Sequence, residues 1–288
     1  MRKLFWWTYC AILIAAIAML IAACGGGGVD PNAPVERPKI LRTDLQFGYY
    51  ASTGNQPQET KGHVNFYHDM QFEGEQHTID SILFMQMPVM LGVQYWMYDE
   101  KNNPKADGES QLLGYLHRLN DAGALKFVTD VYPLDEPDLL GTKADDVIAT
   151  NAAVRRAFAA FNMRPRLSVI YGVGFTWQGV ASYDDVGFDN YSAGSGIFYN
   201  GDFARLKAVL RADQKIWIVP GGADPWRQDP TAYINYAHGD PQVRGLINFI
   251  WPDSTDPRQG YGKGIRTNGL AQKYCRAGRE ITGVAGSC

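Results

Sequence analysis

The sequence predicts an α/β chain folded as a (β/α)8 barrel. From Ile40 onward, short apolar or aromatic runs alternate with longer segments of helical period. Eight such runs occur, and a mature chain of roughly 265 residues suits one large domain with a substantial core. The strands are expected at Gln46–Ala51, His63–His68, Val89–Tyr98, Phe127–Leu134, Leu167–Val173, Asp185–Tyr191, Ile216–Pro220 and Gly245–Trp251. Several are apolar on both alternating faces, as in a parallel sheet covered on both sides.

Helices are expected near Gln76–Met87, Ser110–Ala122, Lys143–Met163, Asp202–Ala212, Thr231–His238 and Gly269–Glu280. In Lys143–Met163, Val147, Ile148, Val154, Phe158 and Phe161 share one face, and Thr142 followed by Asp145 fits a capping box. About ten residues separate the first and second runs, and the fifth and sixth, so helices there should be short or missing. The competing architecture is an open doubly wound sheet, which would bind its ligand at a topological switch point.

Met1-Arg2-Lys3 is basic and Leu4–Ala23 carries no charge, the order of an export signal. Ile21-Ala22-Ala23-Cys24 resembles a lipobox. That resemblance implies a signal peptide over 1–23, a lipid on Cys24, and placement in the bacterial cell envelope on the inner or the outer membrane. Residues 24–39, opening on Gly25–Gly28, have the composition of a flexible tether. An uncleaved signal anchor is the alternative. Without Arg2 and Lys3, 25 Lys and Arg face 30 Asp and Glu, a net charge of −5, which argues against nucleic acid as a partner. With Cys10 in the signal and Cys24 lipidated, Cys275 and Cys288 remain, free to pair in an oxidising compartment or to stay as thiols.

In a (β/α)8 barrel, chemistry gathers where strands end and loops begin on the carboxyl-terminal face. The fourth strand ends Leu134-Asp135-Glu136-Pro137-Asp138, and carboxylates there are costly to desolvate unless paired or used. Asp135-Glu136-Pro137 resembles the Asn-Glu-Pro of the retaining glycoside hydrolases of clan A. The resemblance implies that Glu136 is the acid/base and that Asp135 replaces the asparagine that binds a sugar hydroxyl beside the reacting carbon. It departs from the pattern at the seventh strand, where Ile218-Val219-Pro220-Gly221-Gly222-Ala223-Asp224 offers no glutamate.

A second carboxylate is nevertheless required. Asp189, Asp224 and Asp253 follow the sixth, seventh and eighth strands. Asp189 ranks first, because Asp189-Asn190-Tyr191 resembles the Asp-x-Tyr segments of chitinase-like barrels, in which the acid and the phenol contact the sugar or its intermediate. A wide separation from Glu136 would imply inversion and a close one retention.

Aromatic rings recur at the strand ends: Tyr49 and Tyr50, Trp96 and Tyr98, Tyr171, Trp177, Tyr191, Trp226 and Trp251. Such rings stack on sugar faces, although barrel core explains any single one of them. Trp251 matches the place of the tryptophan that floors the reacting-sugar subsite in clan A. Tyr49, His68, Trp96, Tyr191, Asp224, Trp226 and Trp251 are therefore the expected substrate contacts, with a polysaccharide as partner. His68, Asp69 and Glu73 lack metal-ligand spacing with the other histidines, and no metal or cofactor is expected. Ser195 sits in no nucleophile elbow, and Gly172-x-Gly174 and Gly221-Gly222 lack phosphate-loop context.

Overall fold

In the computed structural model, residues 42–51, 53–172, 176–191, 198, 201–256 and 259–288 are described. The signal, Cys10, Cys24 and the tether lie outside them, as do Val173, Gly174 and Ser195.

All eight strands form, as β1 (Gln46–Tyr49), β2 (Tyr67–Asp69), β3 (Val89–Gly92), β4 (Val128–Tyr132), β5 (Arg166–Tyr171), β6 (Asp185–Asp189), β7 (Lys215–Val219) and β8 (Val243–Asn248). Their order is β1-β8-β7-β6-β5-β4-β3-β2 with every pairing parallel, which excludes the doubly wound alternative. Asn65 stitches the remaining seam between β1 and β2. Its backbone donates to the Phe47 carbonyl at 3.2 Å, its side-chain oxygen accepts from Phe47 N at 2.8 Å, and its amide donates to the Leu45 carbonyl at 3.0 Å.

Eight helices are described: α1 (Gln56–Thr60), α2 (Glu75–Met85), α3 (Gln94–Met97), α4 (Gly108–Asp121), α5 (Ala144–Ala159), α6 (Asp202–Val209), α7 (Pro230–Gly239) and α8 (Ala271–Thr282). After β1 and β5 stand only the five-residue α1 and the 3-10 turn Val180–Ser182, the two places where the sequence is too short for more. Two local expectations are corrected. Val89–Tyr98 is not one strand: β3 stops at Gly92 and Gln94–Met97 coils as α3, because an apolar run of this length looks alike in either state. The capping box does not form either. Lys143 is the N-cap of α5 without a side-chain bond, and Thr142 Oγ1 has no partner among the described residues.

Alternation along each strand divides the core into two shells. Phe47, Tyr49, Leu91, Val131, Val169, Phe188 and Ile218 pack outward under the helices, whereas Tyr50, Phe66, Met90, Tyr132, Ile170, Trp217, Val219 and Ile247 fill the barrel. The Trp217 indole occupies the middle, 4.8 Å from the Phe66 ring and donating to Ser168 Oγ at 3.2 Å. It needs Gly187 beside it, where a Cβ would start 2.8 Å from the Trp217 carbonyl oxygen.

The barrel foot is sealed by ions. Arg244 donates to Asp130 at 2.8 Å, to Asp185, and to Gln46 at 2.9 Å, while Arg166 grips Asp185 through bonds of 2.7 and 2.5 Å. Both carboxylates are fully buried. The chain enters at this same foot, where Arg42 donates to the carbonyls of Ala237, Asp240 and Val243. Cys275 and Cys288 form a disulfide with Cα atoms 5.8 Å apart, pinning the tail to α8.

Candidate active site

At the opposite end of the barrel, the segment that follows β4 and the last residue of β6 bring four carboxyl groups together. After Tyr132 the chain runs through Pro133 and Leu134 and turns at Glu136, whose φ of 41° is left-handed. The Glu136 amide then donates to the Ile170 carbonyl of β5 at 3.1 Å, fastening the turn across the strand ends. A Cβ on residue 172 would start 3.1 Å from Glu136 Oε1, so Gly172 leaves the room that this carboxyl uses. Asp138 Oδ1 accepts from the Gly172 amide at 2.9 Å.

Asp135 is held by two phenols, Tyr50 at 2.5 Å on one oxygen and Tyr132 at 2.6 Å on the other. Its amide donates to Gln94 Oε1 at 3.2 Å, which gives α3 a part in the site. Asp189, the last residue of β6, lies close enough to Glu136 and Tyr191 that each alters the proton affinity of the others. Glu136 and Asp189, the two residues first in line for the chemistry, are thus neighbours.

Among the described residues no lysine or arginine pairs with Asp135, Glu136 or Asp189, so burial and mutual repulsion decide where the protons sit. Burial pushes Glu136 well above the usual carboxylate range, and the charges of Asp189, Asp135 and Asp138 add to it. Burial raises Asp189 to about 7, helped by Asp135 and opposed by the hydrogen bonds from Tyr191 and Glu136. Asp135 is raised by burial and pulled back by its two phenols. The arrangement holds one carboxyl protonated against another that ionises near neutrality, the division of labour that acid/base catalysis by two carboxylates needs.

Aromatic rings wall one side. Phe249 stacks on Tyr191, with centroids 5.0 Å apart and planes at 24°, and meets Tyr50 at 5.6 Å, Trp226 at 5.9 Å and Tyr261 at 5.5 Å. Tyr191 and Trp226 also touch, at 4.7 Å.

The expected contacts divide between the barrel mouth and the layer outside it. Tyr191, Trp226 and His68 belong to the barrel mouth, His68 with its ring 5.0 Å from Tyr50 and 5.2 Å from Tyr132. Tyr49, Trp96 and Trp251 do not. Tyr49 faces outward, hydrogen-bonded to His63 at 2.9 Å, with Trp251 packed on it at 4.9 Å and the Trp251 indole donating to Glu59 at 2.5 Å. Trp96 stacks on Tyr115 at 4.1 Å between α3 and α4. A one-residue step moves a side chain to the other face of a strand, so Tyr50 takes the place expected of Tyr49, and Phe249, just past the end of β8, takes the place expected of Trp251.

Asp224 and Asp253 are engaged elsewhere. Asp224 pairs with Arg227 at 3.5 Å beside a shallow hollow under Tyr261, and Asp253 accepts from Gly264 N, Thr267 and Arg266, which hold it below the usual range despite burial. Asp69 turns outward to Tyr67 and Thr78, away from His68. The strand-seven end has no carboxylate: Val219 points in, and a Cβ on Gly221 would start 2.6 Å from the Tyr191 ring, which already fills that space. Sequence reasoning missed Tyr132 and Gln94. Tyr132 was open to discovery, since alternation along β4 sets it on the inward face with Asp130.

No family model matches the chain, and no curated protein sequence matches it. Solved structures do. A β-1,4-mannanase of glycoside hydrolase family 113 superposes with a TM-score of 0.52 at 11% identity, over 82% of this chain and 99% of that one. The family 17 β-1,3-glucanosyltransferase of Rhizomucor miehei, as an active-site mutant in complex with laminaritriose, gives 0.55 at 11% identity over 78% and 94%. Saccharomyces cerevisiae Gas2p in complex with laminaripentaose gives 0.53 at 10% identity over 85% and 66%. At these identities the likeness is one of fold: the chain is built on the barrel found in these carbohydrate-active proteins.

Proposed function

We propose that this chain is a glycoside hydrolase of the cell envelope that cleaves a polysaccharide with retention, Glu136 serving as acid/base and Asp189 as nucleophile. What supports the reading is the pairing of these two buried carboxyl groups beyond the ends of β4 and β6, each shifting the other, with Glu136 holding its proton and Asp189 ionising near neutrality. An acid and a second carboxylate close to one another favour retention over inversion, which needs a wider gap for water. Glu136 gives its proton to the glycosidic oxygen as an Asp189 oxygen bonds the anomeric carbon, and the leaving sugar departs as an alcohol. Glu136, now ionised, takes a proton from water, which attacks the same carbon and frees Asp189. The rings of Tyr191, Trp226 and Phe249 offer stacking surface, and Tyr50 and Tyr132 orient Asp135 beside the reacting centre.

The test is turnover of a panel of β-glucans, mannans and envelope polysaccharides, with the anomer of the first product followed by proton NMR. Products of unchanged configuration are expected. A glycan-binding barrel is the second reading, favoured by the strand-seven end that carries Val219 and Gly221 where clan A has its nucleophile. Tight binding with no product from any member of the panel would establish it.

The pH profile follows from the two protonation states. Asp189 must be ionised and Glu136 protonated, so kcat/KM is expected to rise with pH through about 7 and to fall again as Glu136 loses its proton. A profile already flat between pH 5 and 8 would remove Asp189 from the nucleophile's role.

Placement rests on Ile21-Ala22-Ala23-Cys24. A lipid on Cys24 would hold the enzyme at a membrane and select polymer that passes near it. Cys24→Ser is expected to move the protein from the membrane fraction to the soluble one, and retention in the membrane would point to the uncleaved anchor.

A further inference from the structure

We infer that His68 is the residue that reads the sugar bound beside Asp135, as a fixed N–H donor to a sugar oxygen. The inference rests on the glycan reading above and adds a specificity-determining group to it.

His68 is wholly buried at β2, on the inward face of the barrel. Its Nδ1 accepts from the Ala51 amide at 3.0 Å, and a ring nitrogen that accepts carries no proton. Burial holds the imidazole neutral, down to about 3, so across the physiological range the single ring proton stays on Nε2. That Nε2–H has no partner among the described residues. A buried donor without an acceptor is costly and calls for a ligand or a bound solvent molecule.

The surroundings say what would satisfy it. The imidazole lies against Tyr50 and Tyr132, and both phenols already donate to Asp135. Asp135 has lone pairs left over, four sites on two oxygens against two donors. A donor, His68, and an acceptor, Asp135, thus flank the same two rings. A sugar hydroxyl accepts and donates at once and suits such a pair. An ammonium group only donates and would face the His68 proton. The geometry points to a neutral, hydroxylated sugar rather than an amino sugar at this position.

The experiment uses the full folded chain with its histidines labelled with nitrogen-15. His68 is expected in the Nε2–H form from pH 5 to 8, and its signal should move on addition of laminaripentaose or mannopentaose, but not of a glucosamine oligomer. His68→Phe should weaken oligosaccharide binding tenfold or more, raise KM, and leave the shape of the pH profile unchanged. His68→Gln, which restores an N–H at the same reach, should recover binding to within about threefold. Should His68→Phe not fold, the parent's NMR titration and His68→Gln still decide. Oligosaccharide binding that leaves the His68 signal in place, an Nδ1–H form, or full affinity in His68→Phe overturns the inference while the glycan reading stands. If none of the oligosaccharides binds the parent, the glycan reading falls and takes the inference with it.

Discussion

Glu136→Gln is expected to lower turnover by about a thousandfold or more while polysaccharide binding stays within a fewfold, the usual scale for removing a general acid. The amide keeps the shape and the contact with Asp189 but has no acidic proton to give to the glycosidic oxygen. A second effect runs the other way. Burial and three neighbouring acids raise Glu136 in the folded state well above its ordinary value, so the folded state binds a proton that the unfolded chain has lost. Stability from this group is greatest at acid pH and is lost as pH climbs from the ordinary carboxylate range toward the folded value. Glutamine has no such dependence, so the variant should melt above the parent at pH 8 and level with it at pH 4. Turnover within tenfold of the parent would remove Glu136 from the acid's role, and a lower melting temperature at pH 8 would contradict its raised proton affinity.

The second large effect concerns the barrel foot. Arg244→Ala leaves Asp130 and Asp185 buried with only Arg166 near, a loss of about 3–5 kcal/mol by comparison with broken buried pairs. At 2–4 °C per kcal/mol for a domain of this size, the midpoint should fall by roughly 6–20 °C. The guanidinium also lies 5.3 Å from the Trp217 ring, so lost packing adds to lost charge. Burial lifts Asp130 to about 7, which fixes the pH signature. Below that value Asp130 takes up a proton and needs its partner less, so the loss measured by thermal melting should shrink between pH 8 and pH 5. Asp130→Asn on the Arg244→Ala background should recover part of it. A midpoint unchanged at both pH values would mean that the foot contributes nothing to stability.

The strands and the principal helices were legible because each repeats a simple period, and Glu136 and Asp189 because strand ends were the places to look. What stayed hidden was parity. Tyr49 and Tyr50 are adjacent and chemically identical, and only the register of β1 on β8 decides which of them reaches Asp135. Phe249 and Trp251 share parity and part only because the chain has left β8 at Asn248; the larger ring drew the assignment and the smaller one reaches the cleft. Trp96 misled for another reason, since the turn from β3 into α3 carries it from the sheet to the helical layer. Strand seven lacks its acid because Tyr191 already stands there, a contact between residues thirty apart that no local pattern encodes.

The path of the chain into the barrel bears on how a polymer could reach it. Arg42 is fastened beside the start of β8, on the side away from the carboxyl cluster, so whatever holds the preceding segment holds the molecule by its base. Were that segment held as proposed, the mouth would stand at the far end of the barrel from its attachment, and a long glycan could lie across it without threading past the support. Residues 24–41, fully drawn out, would span about 60 Å at most. Under the proposed lipid anchor on Cys24, that length and the height of the barrel together set how far the mouth could reach, and polymer beyond it would escape however well the site bound it.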